Sequence, residues 1–403
     1  MIVERITNSD RLAELAPDWN RLSRGVPFHG WEWLATWWAH YGGESDSRRQ
    51  QAELYTLCVY EHGDLIAVAP WYVQAFPLHG RVVQFLGSGQ VCTDYQTVLC
   101  KPGWESRVSA ELADWLCARA GRPAAGGWDQ LELGGVDAGN VMMRSLTENL
   151  AQRGALAHCR AGQPCWRVNL PGSWEEYTAT LSKSHRKELR GCRRRYFDTG
   201  RATLHTVADS AELESKMAVL IDLHQRRRRS LGDPGCFASP RFTAFHLDVA
   251  ARLLARGQLR LHWLELDGEP VAAEYHLYGA EGMIYAYQSG IEVGALQHGP
   301  GRLATMAILR AAIADGFRGF DLLRGDEPYK AHWRARPRPM VEIRMFPGKP
   351  AAHLRYGVHV AGELMRNWIH SRETSGNVWL DAGAGYPEFG PRPDADPWAV
   401  AKP

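Results

Sequence analysis

The sequence predicts an α+β protein made of two similar units. Three observations predict it. Stretches with the period of a strand and stretches with the period of a helix are interspersed through the body of the chain. Two patterns recur in the same order: the strand–turn–strand VYEHGDLIAVAPWYV is echoed by WLELDGEPVAAEYHLY, and GWDQLELGG by GFDLLRGD. The chain, at 403 residues, is long enough for two or three domains with large cores.

Composition narrows the class. Hydrophobic residues make up 45% and charged residues 23%, ordinary values for a soluble globular protein. A net charge of +2 argues against a protein built to coat nucleic acid, and DNA is not an expected partner. The opening MIVERITNSD lacks a basic-then-apolar leader pattern, and no apolar run is long enough to span a bilayer, so the expected location is the cytoplasm. The eight cysteines are scattered, with no CxxC and no metal-type spacing. They read as reduced thiols, and no metal is expected.

In order, Leu12 to Leu22 is expected to be helical, with apolar residues at Leu12, Leu15, Trp19 and Leu22, and so is the tryptophan-rich run Trp31 to Tyr41. Glu53 to Tyr60 and Leu65 to Val73 read as a hairpin around Glu61-His62-Gly63-Asp64, with a third strand at Arg81 to Leu86. Gly103 to Ala120 is helix-like and Trp128 to Leu133 strand-like. Gly162 to Pro164 and Pro171-Gly172 punctuate a junction, giving domains 1–165 and 166–348. Ser173 with Glu176 forms a capping-box signature. The next helix carries Lys183, Arg186, Lys187, Arg190, Arg193, Arg194 and Arg195 on one face and Leu181, His185, Leu189, Cys192 and Tyr196 on the other. A second basic run, Arg226 to Arg229, ends another helix. Arg241 to Arg256 follows as a helix, then strands at Leu259 to Leu266, Val271 to Tyr278 and Met283 to Ser289. Residues 349–403 are expected to form a helix over Leu354 to Ile369 and a loose tail rich in Gly, Pro and Asp.

Met283 to Trp333 is the most informative stretch: strand, loop, helix, strand, helix. The loop carries Gly299, Pro300 and Gly301 straight into a helix start, where unpaired N–H groups and the helix dipole suit a phosphate or pyrophosphate. The strand after the helix ends in Asp321, Arg324 and Asp326, beside Tyr329 and Lys330. A diphosphate cradle beside ionisable groups outlines an enzyme with a nucleotide-bearing donor.

The stretches FHGWEWLATWWAHYG, LSKSHRKELRGCRRR, LHQRRRRSLGDPG and FDLLRGDEPYKAHW resemble the CelD/BcsL-type acetyltransferases of cellulose biosynthesis. These belong to the GNAT superfamily and share a tandem plan with the Fem-type peptidoglycan transferases. Where that superfamily has Arg/Gln-x-x-Gly-x-Gly/Ala, this chain has Gln297-His298-Gly299-Pro300-Gly301-Arg302. The resemblance implies tandem GNAT-like acyltransferase domains, each a mixed, mostly antiparallel sheet flanked by helices, the first degenerate because it lacks the glycine loop. It implies acetyl-CoA, or another acyl-CoA, as donor, bound by the amides of Gly299, Gly301, Arg302 and Leu303 with Ser289 beside them. The fourth strand, Met283 to Ser289, would splay from Phe317 to Leu323 to admit the pantetheine arm.

Acyl transfer needs a base for the nucleophile, a stabilised oxyanion and an acid for the departing thiolate. The resemblance makes Tyr329 the candidate acid. Alternation along Val271 to Tyr278 puts Glu274 and His276 on one face as candidate bases. Asp321 joins the catalytic candidates through its motif position, as an orienting or purely structural residue. Gln288, Arg324, Asp326 and Lys330 are the expected acceptor contacts. The function expected is N- or O-acyl transfer, acetyl first, to a sugar, polysaccharide precursor or amine, in exopolysaccharide or cellulose production. Two alternatives stay open: a Fem-like transferase using aminoacyl-tRNA, with RNA on the basic helices, and a non-catalytic accessory protein of polysaccharide assembly. A homodimer also stays open.

Overall fold

The computed structural model describes residues 1–43, 52–122, 126–349 and 357. Apart from residue 357, the expected helix over 354–369 and the expected tail lie outside the described residues. The chain divides into two compact units. The first comprises Met1–Arg24, Phe28–Gln163 and the described residues from Pro339 on, and the second Gly25–Pro27 and Pro164–Arg338.

The first unit runs β1 (Ile2–Ile6), α1 (Ser9–Glu14), α2 (Ala16–Ser23), α3 (Trp31–Tyr41), β2 (Ala52–Leu54), β3 (Thr56–Glu61), β4 (Asp64–Ala69), β5 (Trp71–Phe76), β6 (Gly80–Phe85), β7 (Leu99–Cys100), α4 (Glu105–Arg119), β8 (Gln130–Asp137), α5 (Val141–Gln152) and β9 (Leu156–Ala161). The expected helix over Leu12 to Leu22 is broken at Leu15, because Pro17 sits in the first turn of α2 and could not donate to a continuous helix. The expected hairpin turns where predicted, with Glu61 opposite Asp64. Its two arms nonetheless each divide between sheets. β3 and β4 join a four-stranded sheet, order β1-β3-β4-β7, while β2 and β5 join a six-stranded one. The break falls at Pro70, which has no N–H to continue a ladder. α5 and β9 were not expected from the sequence.

The second unit runs β10 (Cys165–Asn169), α6 (Trp174–Thr180), α7 (Lys183–Cys192), β11 (Ala202–Thr206), α8 (Ser210–Ser230), α9 (Pro240–Ala255), β12 (Leu259–Leu266), β13 (Glu269–Gly279), β14 (Met283–Ile291), α10 (Pro300–Ala314), β15 (Gly319–Arg324), α11 (Pro328–His332) and β16 (Arg336–Arg338). Its seven strands are ordered β11-β12-β13-β14-β15-β10-β16. Only β14 and β15 pair in parallel, as the crossover through α10 requires. Ser173 caps α6 by accepting from the Glu176 amide, and Ser182 caps α7 the same way at His185.

The chain's last described strand, β17 (Met340–Phe346), lies between β8 and β9, completing the six-stranded sheet in the order β2-β5-β6-β8-β17-β9. The first unit therefore takes its closing strand from beyond residue 338, where the sequence reading had continued the second domain to 348. Val341, Ile343 and Met345 are buried in the first unit's core, which gives the strand its place. Both echoes have structural counterparts. β6 and β8 form the first unit's parallel pair, joined across α4, as β14 and β15 are joined across α10. The crossover helices are 15 residues each.

α10 holds the second core together. Its Leu303, Ala304, Ile308, Leu309 and Ala312 pack with Leu264 of β12, Ala272 of β13, Ile284 of β14 and Phe320 of β15. Burying each large aliphatic side chain there stabilises the unit by roughly 1.5–3 kcal/mol. This packing fixes the start of α10 against one face of the sheet.

Candidate active site

A short 3-10 turn, Val293–His298, delivers the chain to Gly299, whose φ of +64° is left-handed. A side chain there would be strained, and its Cβ would lie 2.6 Å from the Arg302 guanidinium. Four amides had been assigned to a diphosphate. Two are already used: Gly299 N donates to Leu296 O and Leu303 N to Gly299 O, both at 3.0 Å. The second bond is the first regular turn of the helix itself. Pro300 has no N–H. The amides of Gly301 and Arg302 have no acceptor among the described residues, so the cradle is two amides wide. The Arg302 side chain pairs with Glu188 of α7, and its Nε is buried without a partner. His298 Nδ1 is 3.1 Å from the Tyr196 hydroxyl, tying the loop to the end of the basic helix.

The strands beside the cradle diverge. β14 and β15 pair only through Met283, Ile284 and Tyr285, although both run on beyond those residues. On its other edge β14 carries a bulge: Tyr275 faces Gln288 but His276 faces Ala286, leaving Tyr287 as the extra residue. Such a bulge bends the strand and increases its twist, which turns its end away from β15.

Glu274 and His276 lie on the face toward α10. Ala272, which shares their face by alternation, packs with Leu303 and Ala304, and Phe320 and Tyr329 join the same cluster. The Glu274 carboxylate is 12% exposed, and its Oε2 lies 3.5 Å from His276 Nε2. Burial pushes the Glu274 carboxyl up to about 8 and pulls the His276 imidazole down to about 3, so His276 is neutral across the physiological range. Neither His276 nitrogen has a hydrogen-bond partner, which is how a buried polar group looks when water or a ligand normally satisfies it. The ring stands edge-on to Phe320, with centroids 5.2 Å apart. Tyr329 is brought close enough to Glu274 to feel its charge. Burial first, then Glu327 and Glu274, raise the phenol well above its ordinary range, so it stays protonated. Ser289 pairs in register with Glu274, and Gln288 with Tyr275.

Two expected site residues are engaged by the protein's own groups. Asp321 is opposite Tyr285, one residue on from Phe320, and so faces away from Glu274. Its carboxylate accepts from Arg167 and from the amide of Leu323, whose φ of +54° it helps to hold. Lys330 is fully buried. Its Nζ donates to the carbonyls of Leu323 and Arg324, at 3.1 and 2.8 Å, and pairs with Glu327, closing off the end of β15 rather than facing an acceptor. Arg324 ends β15 opposite Cys165, and Asp326 is exposed in the loop beyond.

His224 was not expected at the site, and Arg228 was expected only as part of a basic run. His224 of α8 sits between Ser289 O, 2.9 Å from its Nδ1, and the Cys236 thiol, 3.4 Å from its Nε2. Arg228, one turn on, acts electrostatically on both His224 and Tyr329. No local pattern announces these contacts, since His224 and Ser289 are 65 residues apart. The basic runs are partly neutralised: Arg193 pairs with Asp198, Arg226 with Asp222 and Glu292, and Arg228 with Asp233. A cavity of about 520 Å³ runs along the later turns of α10, lined by Trp174, Leu189, Phe197, Met306 and Arg310 among others, away from the first-turn amides.

Residues 183–331 match the protein family described as "Acetyltransferase (GNAT) domain". The match covers α7 to α11, including the glycine loop, the diverging strands and Tyr329. The match and the fold show a GNAT-type acetyltransferase domain over that stretch, and they support an acyltransferase. Among solved structures, FemX aligns over 88% of this chain and 99% of its own, with a TM-score of 0.58 at 11% identity. A conserved protein of unknown function from Bacteroides thetaiotaomicron aligns over 86% and 100%, with a TM-score of 0.51 at 11% identity. At that identity the likeness speaks for the fold. No curated protein matches the sequence. No helix among the described residues is long and apolar enough to cross a membrane.

Proposed function

We propose that the chain moves an acyl group, acetyl first, from acyl-CoA to the hydroxyl or amine of a sugar or polysaccharide precursor, as its resemblance to CelD/BcsL-type acetyltransferases suggests. The observation that carries this reading is the pair of unpartnered amides, Gly301 and Arg302, at a helix start beside two diverging strands. They suit the donor's diphosphate, and the divergence leaves room for its arm to reach Glu274 and Tyr329. In this scheme Glu274 takes the acceptor's proton as its nucleophile attacks the thioester carbonyl, and Tyr329 returns a proton to the leaving thiolate.

One observation favours a second reading. Lys183, Lys187, Arg190 and Arg194 are exposed and make no ion pair among the described residues, which leaves a cationic strip able to meet an RNA backbone. That strip and the Fem-like fold together fit an aminoacyl-tRNA donor.

Titration calorimetry separates the readings. Acetyl-CoA should bind the wild type and fail with Gly301→Glu, because a carboxylate at the first turn suits the helix dipole but repels a diphosphate. A melting curve would check that the variant is folded. Binding of charged tRNA without acetyl-CoA would replace the first reading by the second, and binding of neither would leave an accessory protein.

A further inference from the structure

We propose that His185, Glu188 and His332 form a binding site for a divalent transition metal, zinc first. Each offers one ligand atom, and the three atoms lie within 4.8 Å of one another. His185 and Glu188 are three residues apart on α7, so they share one face of it, and His332 reaches them from the end of α11. The trio is a nitrogen–oxygen–nitrogen set of the type that holds zinc with an open fourth position.

His185 is the observation that separates this cluster from a chance meeting of polar groups. It is 3% exposed, and its Nε2 has no hydrogen-bond partner. A bare, buried ring nitrogen beside a carboxylate and a second imidazole is a vacant ligand position. The rings of His185 and His332 are 4.5 Å apart, centre to centre, and Trp333 packs 5.1 Å from His185 as an apolar wall.

Two features set the affinity. Ligand atoms around tetrahedral zinc stand about 3.4 Å apart, given bonds of about 2.0–2.1 Å, so the trio must draw together by up to about 1.4 Å. His332 is exposed and Glu188 is 37% exposed, so both can move. Arg302 and Arg334 oppose a dication, and Arg302 holds Glu188 in its own ion pair. Metal and Arg302 therefore compete for one carboxylate, and neutralising Arg302 should tighten metal binding. That coupling would not exist for zinc caught on scattered surface histidines.

The test uses the untagged full-length chain, metal-stripped, titrated with zinc chloride by calorimetry and with Co²⁺ followed by its visible absorption. One equivalent should bind, with the intense d–d bands of a four-coordinate site. His332→Ala and Glu188→Gln should each weaken binding at least about ten-fold, as even outer-shell changes do. Arg302→Gln should strengthen it. The exposed His332 makes its alanine variant safe for folding, and His62→Ala serves as a control that should bind like wild type. No stoichiometric binding, or binding unaltered in both His332→Ala and Glu188→Gln, would overturn the site. Neither result depends on whether the chain binds acyl-CoA.

Discussion

A carboxyl packed against apolar side chains gives up its hydration, so Glu274 keeps its proton to about pH 8. Only about a tenth of it is ionised at pH 7, and if it is the base, kcat/KM should climb with pH up to that value. Glu274→Gln should remove both the climb and most of the turnover. The same shift has a stability cost with a definite sign. The folded chain holds this proton where the unfolded chain releases it near 4.5, so the stability the group supports is present in acid and lost as pH rises through 8. Glu274→Gln should therefore melt higher than wild type at pH 9, and a lower melting temperature there would contradict the assignment. Tyr329→Phe should cut turnover about ten-fold or more with acyl-CoA affinity nearly unchanged, since it removes a proton donor and little surface. Steady-state kinetics beside calorimetry checks this, and undiminished turnover removes Tyr329 from the mechanism.

At the scale of elements, the site depends on where β15 stops and what holds its end. The motif Phe320 to Lys330 is legible in the sequence, but its division of labour is not. Alternation sends Phe320 toward α10 and Asp321 away, and Lys330 folds back under the strand to collect carbonyls. Lys330→Met should leave those carbonyls buried and unpaired, costing about 2–4 kcal/mol. The measurement is the urea midpoint at constant slope. An unmoved midpoint with a weakened acceptor KM would return Lys330 to a substrate role. The α10 start shows a similar limit. Gly299 and Gly301 stand out in the sequence, but only the turn Val293–His298 determines that Gly299 N is taken and Gly301 N is not.

For the whole molecule, three histidines in the second unit set the acid limit. Burial pulls His246, His262 and His276 each down to about 3. Unfolded, they would titrate near 6.5, so the stability tied to their neutrality is present above 6.5 and lost as pH falls toward 3. Each adds up to ~1.4 kcal/mol per pH unit, and the three together about 4, against a total stability of roughly 5–15 kcal/mol. The second unit should therefore unfold by about pH 4. Tryptophan fluorescence across an acid titration would show it, and native emission at pH 3.5 would refute it.

The local pattern of the chain determined the α+β class, most helices and strands, the glycine-led helix start and the face shared by Glu274 and His276. Those features follow from periodicity, capping and turn chemistry, which act over a few residues. Tertiary structure decided which of those groups are free to act. It placed Val341, Ile343 and Met345 in the first unit's core, turned Asp321 from the site, used up Lys330, and set His224 under Ser289. Hydrogen bonds and burial between residues far apart in sequence fixed each of these outcomes, and no short stretch of sequence records such partners.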